Sequence, residues 1–249
     1  MNNAAENNTQ KNNNGISQKD DRCCKLSVVV SVYNEEKALR EFYKETNKIL
    51  EQIKEEGKVP TLFLHSCCAP CSSYVLEYLR DFFDITVLYY NPNITDRQEY
   101  EKRTAEQKRL IEEMNREAPS FITMETGRYE PEVFFAAAKG LEQVPEGGER
   151  CFRCYEIRLR ETARLAGEKG FDYFTTTLTI SPLKNADKLN EIGEKLGAQY
   201  GIPFLPSDFK KKNGYKRSVE LSEKYGLYRQ DYCGCIFSKN ERDRRNSEK

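Results

Sequence analysis

Residues 61–93 read TLFLHSCCAPCSSYVLEYLRDFFDITVLYYNPN, and the changes of period within them decide the fold. Thr61–His65 is a short apolar run of the kind a buried strand supplies. Cys68-Ala69-Pro70 then turns into a helix through Arg80, with proline near the first turn, where its missing N–H leaves no bond unmade. Ile85–Tyr90 is a second apolar strand, ended by Asn91-Pro92-Asn93. A strand, a helix and a strand with short joints form the repeating unit of a parallel sheet.

The same alternation continues toward the C-terminus. Thr95 is placed to cap a long helix from Asp96 to about Glu117, with Tyr100, Leu110, Ile111 and Met114 as its apolar stripe. Ser120–Glu125 reads as a third strand and Pro131–Lys139 as a short helix. Gly147-Gly148 opens a loop, and a helix follows from about Cys151 to Gly167. Phe171–Ile180 is a strand rich in threonine and aromatics, Asn185–Tyr200 a helix, Ile202–Leu205 a strand and Tyr215–Tyr225 a last helix. The pattern predicts an α/β fold, a Rossmann-like (HUP-like) parallel sheet with helices on both faces.

Before this region the character changes. Residues 1–24 are rich in Asn, Gln, Asp and Lys and read as a disordered tail. Residues 25–56 form an atypical N-terminal fragment: the β-branched run Leu26–Tyr33, then Asn34-Glu35-Glu36 and a helical stretch to about Glu56. Residues 57–240 carry the main domain, and 241–249 read as a charged tail. Across 249 residues, 40 Lys+Arg balance 40 Asp+Glu, so any nucleic-acid partner must show in the placement of charge and not in its sum. There is no 18-residue apolar run to span a membrane and no signal-peptide pattern, so a reducing cytoplasmic setting is expected.

Nine cysteines are unexpected in that setting, and a single histidine, His65, accompanies them. They fall in four clusters: Cys23-Cys24, Cys67-Cys68-x-x-Cys71, Cys151-x-x-Cys154 and Cys233-x-Cys235. This distribution excludes a Cys/His zinc finger, a triad with several histidine candidates and a secreted disulfide scaffold. It fits a thiolate site assembled from distant loops. Four thiolates can hold zinc or an iron–sulfur cluster. The adjacent Cys67-Cys68 pair suits a zinc knuckle poorly, whereas a wider cubane can accept neighbouring ligands. Cys67 and Cys68 follow directly on the first strand, at the sheet end where α/β proteins bind ligands.

The runs LHSCCAPCSSYVLEYL (64–79), YYNPNI (89–94), GERCFRCYEIRLRETA (148–163) and LYRQDYCGCIFS (227–238) resemble the epoxyqueuosine reductases of the QueH type. The resemblance covers about residues 49–238. It implies reduction of epoxyqueuosine to queuosine at the wobble position of tRNA, the last step of queuosine synthesis. It also implies that Cys67, Cys68, Cys151 and Cys154 hold a [4Fe-4S] cluster. Cys233 and Cys235 would form a redox-active disulfide, and Cys71 would be a ligand of an additional iron. A shorter stretch, KLSVVVSVYNEEKALREFY (25–43), resembles the first strand and turn of family 2 glycosyltransferases. The Asp-x-Asp metal motif and the acceptor half of such enzymes are absent, so no glycosyl transfer is expected.

Removing an epoxide oxygen as water takes two electrons, two protons and an acid at the oxygen. Asp231, Tyr232 and Asp208 are candidates for the acid because they lie near the Cys233 segment or the strand ends. His65, closing a buried strand, reads as a core histidine. For tRNA, Lys210, Lys211, Lys212, Lys216 and Arg217 form a basic patch interleaved with Phe209 and Tyr215. Arg150, Arg153, Arg158 and Arg160 form a second patch beside Cys151 and Cys154. An electron donor is required but not named by any motif. Two rivals remain. One is a zinc-stabilised nucleic-acid-binding module. The other is an ATP-using tRNA thiolation enzyme, whose Ser-Gly-Gly-x-Asp-Ser loop is replaced here by Ser66-Cys67-Cys68-Ala69-Pro70-Cys71.

Overall fold

A computed structural model describes residues 41–118 and 120–248. In chain order the elements are α1 (Glu41–Glu56), β1 (Thr61–His65), α2 (Ala69–Leu79), β2 (Asp84–Tyr89), α3 (Arg97–Glu117), β3 (Thr123–Thr126) and α4 (Pro131–Ala138). They continue with α5 (Glu149–Lys169), β4 (Tyr173–Thr176), α6 (Ala186–Tyr200), α7 (Gly214–Lys224) and α8 (Ile236–Ser247). The strands form one parallel sheet in the order β3-β2-β1-β4. The chain builds outward from β1 to β3 and then returns to lay β4 on the other side of β1. The carboxyl end of β1 is therefore the point where strand order reverses and a crevice opens.

The period of two along β1 divides the core. Leu62 and Leu64 face α1, α2, α3 and α7, where they pack with Val75, Leu76, Leu110 and Leu221. Phe63 faces the other side and packs with Leu159 and Ala163 of α5 and Leu189 and Leu196 of α6. Helices cover both faces, as the alternation predicts. Leu50 and Ile53 of α1 are buried in the first of these cores, and Thr46 donates a hydrogen bond to the Pro206 carbonyl.

Several boundaries differ from the sequence reading for identifiable reasons. Helix α3 is capped by Asp96, whose carboxylate accepts the Glu99 N–H at 3.0 Å; Thr95 gives its own N–H to the Gly234 carbonyl. Strand β4 stops at Thr176, whose hydroxyl accepts the Leu178 N–H and coils Thr177–Ile180 into a 3-10 turn. The expected strand Ile202–Leu205 contributes only a bridge between Phe204 and Phe174. Helix α7 is not the last: α8 follows, and it carries the charged residues after 240 as far as Ser247. The Leu26–Tyr33 run, the glycosyltransferase-like stretch, Cys23-Cys24 and the Asn-rich tail lie outside the described residues. Among the described residues no helix is long and apolar enough to cross a membrane.

Candidate active site

The turn after β1 is fixed from below. Asn91 Nδ2 donates to the Ser66 carbonyl at 2.8 Å, and the Ser66 hydroxyl donates to Gln107 Oε1 at 2.7 Å. The Cys67 N–H reaches Thr177 Oγ1 at 3.3 Å, tying β1 to the turn after β4. Cys68 is the extended residue preceding α2, and Cys71 lies one helical turn on, so both thiols sit at that helix's N-terminus. The Cys67 and Cys68 sulfurs are 3.8 Å apart and those of Cys68 and Cys71 2.8 Å; all three lie within 4.8 Å of one another.

Two more helix N-termini bring the remaining thiols. Gly148 precedes α5, where a side chain would meet Val144 Cγ1 at 2.6 Å, and Cys151 and Cys154 occupy the first turns. The Gly147 N–H donates to Cys151 Sγ at 3.3 Å. Cys235 caps α8, its sulfur accepting the Ser238 N–H at 3.4 Å. Helix N-termini favour anionic sulfur. All seven described cysteines are free thiols.

Burial and mutual hydrogen bonding set their protonation. Hydrogen bonds from the Cys68 and Cys71 thiols hold Cys67 well below the usual thiol range. Burial pushes Cys68 up to about 12, and hydrogen bonding with Cys67 and Cys68 keeps Cys71 high as well. Within the trio, Cys67 is therefore the thiol that gives up its proton most readily. Burial pushes Cys154 up to about 11 and raises Cys151.

Two adjoining cavities lie over these thiols. A small one of about 20 Å3 is lined by Cys151, Cys154, Cys233 and Cys235. A cleft of about 360 Å3 is lined by Cys67, Cys68, Cys71, Tyr215, Asp231 and Tyr232. Glu146, Arg158, Leu183, Lys184 and Cys233 belong to both linings and mark their junction. Cys151 and Cys154 stand outside the close trio and share their cavity with Cys233 and Cys235.

Sequence reasoning did not single out Lys184 or Glu146. Lys184 Nζ lies 3.8 Å from Cys233 Sγ, and Glu146 accepts from the Ser238 hydroxyl at 3.3 Å. Burial opposes the charge on Lys184, but Cys233 and Cys67 outweigh it, so its pKa stands above the ordinary lysine value. Arg158, read as a surface cation, is buried, and its guanidinium donates to the Cys154 carbonyl and to Asn91 Oδ1. Arg150, Cys154 and Arg158 are four residues apart on α5, so the face that carries a site cysteine also carries both arginines. That spacing is the signal that would have found them.

The other candidates separate. Asp231 is at the cleft but exposed and paired with Arg242 at 2.6 Å; Tyr232 lines the cleft. Asp208 is buried, pairs with Lys210 at 2.7 Å and belongs to neither lining. Burial pushes His65 down to about 3; its neutral ring donates to the Tyr90 carbonyl and accepts from Thr176, a satisfied core group. Many of the cations are already committed. Arg150 holds the Leu141 and Glu142 carbonyls, Arg153 and Arg160 pair with Glu149 and Glu156, and Arg217 pairs with Glu77. Phe209 is core, while Tyr215 stands at the cleft with Arg229 and Arg245.

A parallel α/β sheet whose switch-point crevice is lined by thiols, with no phosphate loop after β1, defines a Rossmann-like protein with a cysteine-rich site. The family model for epoxyqueuosine reductase QueH matches residues 62–241. The epoxyqueuosine reductase QueH of Staphylococcus epidermidis is 44% identical over 193 residues, 77% of this chain and 81% of the relative. That of Streptococcus pyogenes serotype M1 is 43% identical over 196 residues, 77% of each chain. That of Thermotoga maritima is 37% identical over 194 residues, 76% of this chain and 95% of the relative. This chain belongs to the epoxyqueuosine reductase QueH family.

Proposed function

We propose that the chain reduces epoxyqueuosine to queuosine at the wobble position of tRNA, in the cytoplasm. The observation that carries this reading is the convergence of three helix N-termini, each bearing cysteines, on two adjoining cavities in a chain of this family. A cleft of about 360 Å3 is of the size that accepts a nucleoside. Tyr215 and Tyr232 at its rim offer stacking faces for an unstacked anticodon base, and Arg229 and Arg245 offer charge for its phosphates.

The donor set suits a thiophilic metal group. Cys67, Cys68 and Cys71 place three sulfurs within 4.8 Å of one another, Cys151 and Cys154 line the adjoining cavity, and such sulfurs are soft ligands of the kind iron–sulfur clusters take. In this reading Cys67, Cys68, Cys151 and Cys154 hold a [4Fe-4S] cluster, and Cys71 serves an additional iron. When bound, the cluster supplies electrons one at a time at low potential. Cys233 and Cys235 store a pair as a dithiol and release it on closing a disulfide. The Asn91–Ser66 and Thr177–Cys67 hydrogen bonds hold the first thiol pair still, so substrate meets a preformed wall. The electron donor is an external reductant.

The test uses full-length protein purified without oxygen, with Cys67, Cys68, Cys151 and Cys154 each replaced by Ser. Iron and sulfide per chain are measured beside queuosine formed in tRNA carrying epoxyqueuosine. Joint loss of iron and turnover in each variant is expected. Full loading in all four would reject the ligand set, and a wild type that forms no queuosine would reject the reaction.

A further inference from the structure

We propose that Arg158 and Lys184 together form the receptor for the substrate oxygen, donating hydrogen bonds to it at the junction of the two cavities as its carbon–oxygen bonds break. The inference rests on the epoxide-reduction reading above and adds two catalytic residues to it.

The first observation is an unfilled donor. The Arg158 side chain is almost wholly buried; its Nε donates to the Cys154 carbonyl at 3.3 Å and its Nη1 to Asn91 Oδ1 at 3.2 Å. Its Nη2 has no hydrogen-bond partner among the described residues. A buried guanidinium nitrogen left without an acceptor is costly, and native structures rarely leave one so. Arg158 borders both cavities, so the space beside its guanidinium is where an acceptor would come from.

The second observation is a lysine without a carboxylate. Half-buried at the junction of the two cavities, Lys184 pairs with no carboxylate among the described residues, and its ammonium stands 3.8 Å from Cys233 Sγ. Its backbone is anchored between the 3-10 turn, where its N–H meets the Ser181 carbonyl at 3.2 Å, and Asn185, which caps α6. Like Arg158, it lines both cavities. Two fixed cations in a partly dry junction are an arrangement aimed at developing negative charge.

The reaction supplies that charge. Both carbon–oxygen bonds of the epoxide break, a carbon–carbon double bond forms and the oxygen leaves as water. Two electrons and two protons enter. The Cys233/Cys235 dithiol provides both pairs when it closes to a disulfide, so epoxide and dithiol give alkene, disulfide and water. A small dithiol reductant resets the pair between turnovers. Cleavage of the first bond puts negative charge on the oxygen, where Arg158 Nη2–H and the Lys184 ammonium receive it. Arg158 stays charged throughout, so it contributes orientation and field, and the thiols contribute the protons.

The experiment compares Lys184→Met, Lys184→Arg and Lys184→Ala with wild type as full-length, cluster-reconstituted protein. Lys184→Met should lower kcat about 100-fold, the scale of losing one preorganised donor, with KM within about threefold and iron and sulfide unchanged. Lys184→Arg should keep most of the rate, and ethylammonium should restore Lys184→Ala. In equilibrium binding, wild type should prefer an anticodon stem-loop bearing epoxyqueuosine over one bearing queuosine, and Lys184→Met should lose that preference. Wild-type turnover by Lys184→Met would overturn the proposal. So would iron loss in Lys184→Met, which would make Lys184 a counter-charge of the metal site. Equal damage in Lys184→Met and Lys184→Arg without amine rescue would overturn it too. Failure of the wild type itself to form queuosine would instead sink the proposed function, so the two failures are told apart.

Discussion

Arg103 Nη1 donates to the carbonyl oxygen of Cys233 at 3.2 Å, across 130 residues of sequence. The same guanidinium reaches the Tyr232 carbonyl at 3.4 Å, its Nε is held by Glu99 at 2.7 Å, and its side chain is 2% exposed. Asn93 Nδ2 adds a bond to the Cys233 carbonyl at 3.3 Å, and the Thr95 N–H one to the Gly234 carbonyl. The main chain of the Cys-x-Cys turn therefore hangs from α3 and the loop before it. Arg103→Leu should destabilise the fold by about 2–3 kcal/mol, the scale of a lost charged hydrogen bond plus stranded acceptors. It should also slow turnover about tenfold while iron content holds. Denaturant titration, iron analysis and single-turnover rates check this, with Arg103→Lys expected between the two.

Gly234 is the residue that lets this turn close. Its φ is +116°, and a side chain there would lie 2.9 Å from Ile94 Cγ1 and 3.2 Å from Arg103 Nη1. Gly234→Ala should therefore lose about 1–3 kcal/mol through backbone strain and displace Arg103. A thermal melt of the variant indistinguishable from wild type would show that the turn tolerates the change.

Glu106 gives a pH dependence with a definite sign. Its carboxylate takes a two-pronged hydrogen bond from Arg109 at 2.8 and 3.0 Å and the Tyr228 N–H at 2.7 Å, which hold its pKa below the usual 4.5. A depressed carboxylate stabilises the fold fully above its unfolded pKa and loses that contribution as pH falls through its folded value. Urea midpoints of wild type should therefore fall on acidification below about pH 4.5. Glu106→Gln should be less stable at neutral pH and show a shallower acid limb. Parallel limbs would place the acid sensitivity elsewhere.

How much of this was legible in the sequence depends on the range of the contact involved. The β1–α2–β2 unit and the stripe Tyr100, Leu110, Ile111 and Met114 follow from local period, and all four stripe residues are buried. The cysteine clusters stood out by spacing. Helix α8 did not, because it has almost no apolar face; it is held by its Cys235 cap and the Arg150–Glu241 pair at 3.2 Å. Arg150 and Arg158 read as surface charge because composition cannot say that α5 turns that face inward. Lys184 has no motif at all, since its neighbours Cys67 and Cys233 come from loops far away in the sequence.

Helix α1 bears on where the working chain starts. Leu50 and Ile53 are buried in the core under β1, and Thr46 is hydrogen-bonded to the Pro206 carbonyl. Deleting residues 1–40 removes none of these groups and should leave the melting temperature and turnover near those of the full chain. Deleting residues 1–56 uncovers the core, and Leu50→Ala in the full chain should cost about 2–4 kcal/mol. Soluble, active protein from the longer deletion would show that α1 is dispensable.

Cys233 and Cys235 differ in surroundings in a way that suits two steps of one relay. Cys233 is half-buried, opens onto both cavities and lies 3.8 Å from the Lys184 ammonium. Cys235 is buried at the start of α8, and burial pushes its pKa up to about 12. In the proposed relay the outer thiol would meet substrate, and the inner one would close the disulfide when its proton is taken. With one residue between them the ring is small, and strain makes such a disulfide easy to reduce, which suits a relay better than a staple. Cys233→Ser and Cys235→Ser should both keep the cluster's absorbance and iron and lose queuosine formation. Mild reduction of the oxidised wild type should reveal two titratable thiols that neither variant shows. Iron loss in either variant would move the pair into the metal site, and normal turnover would remove it from the mechanism.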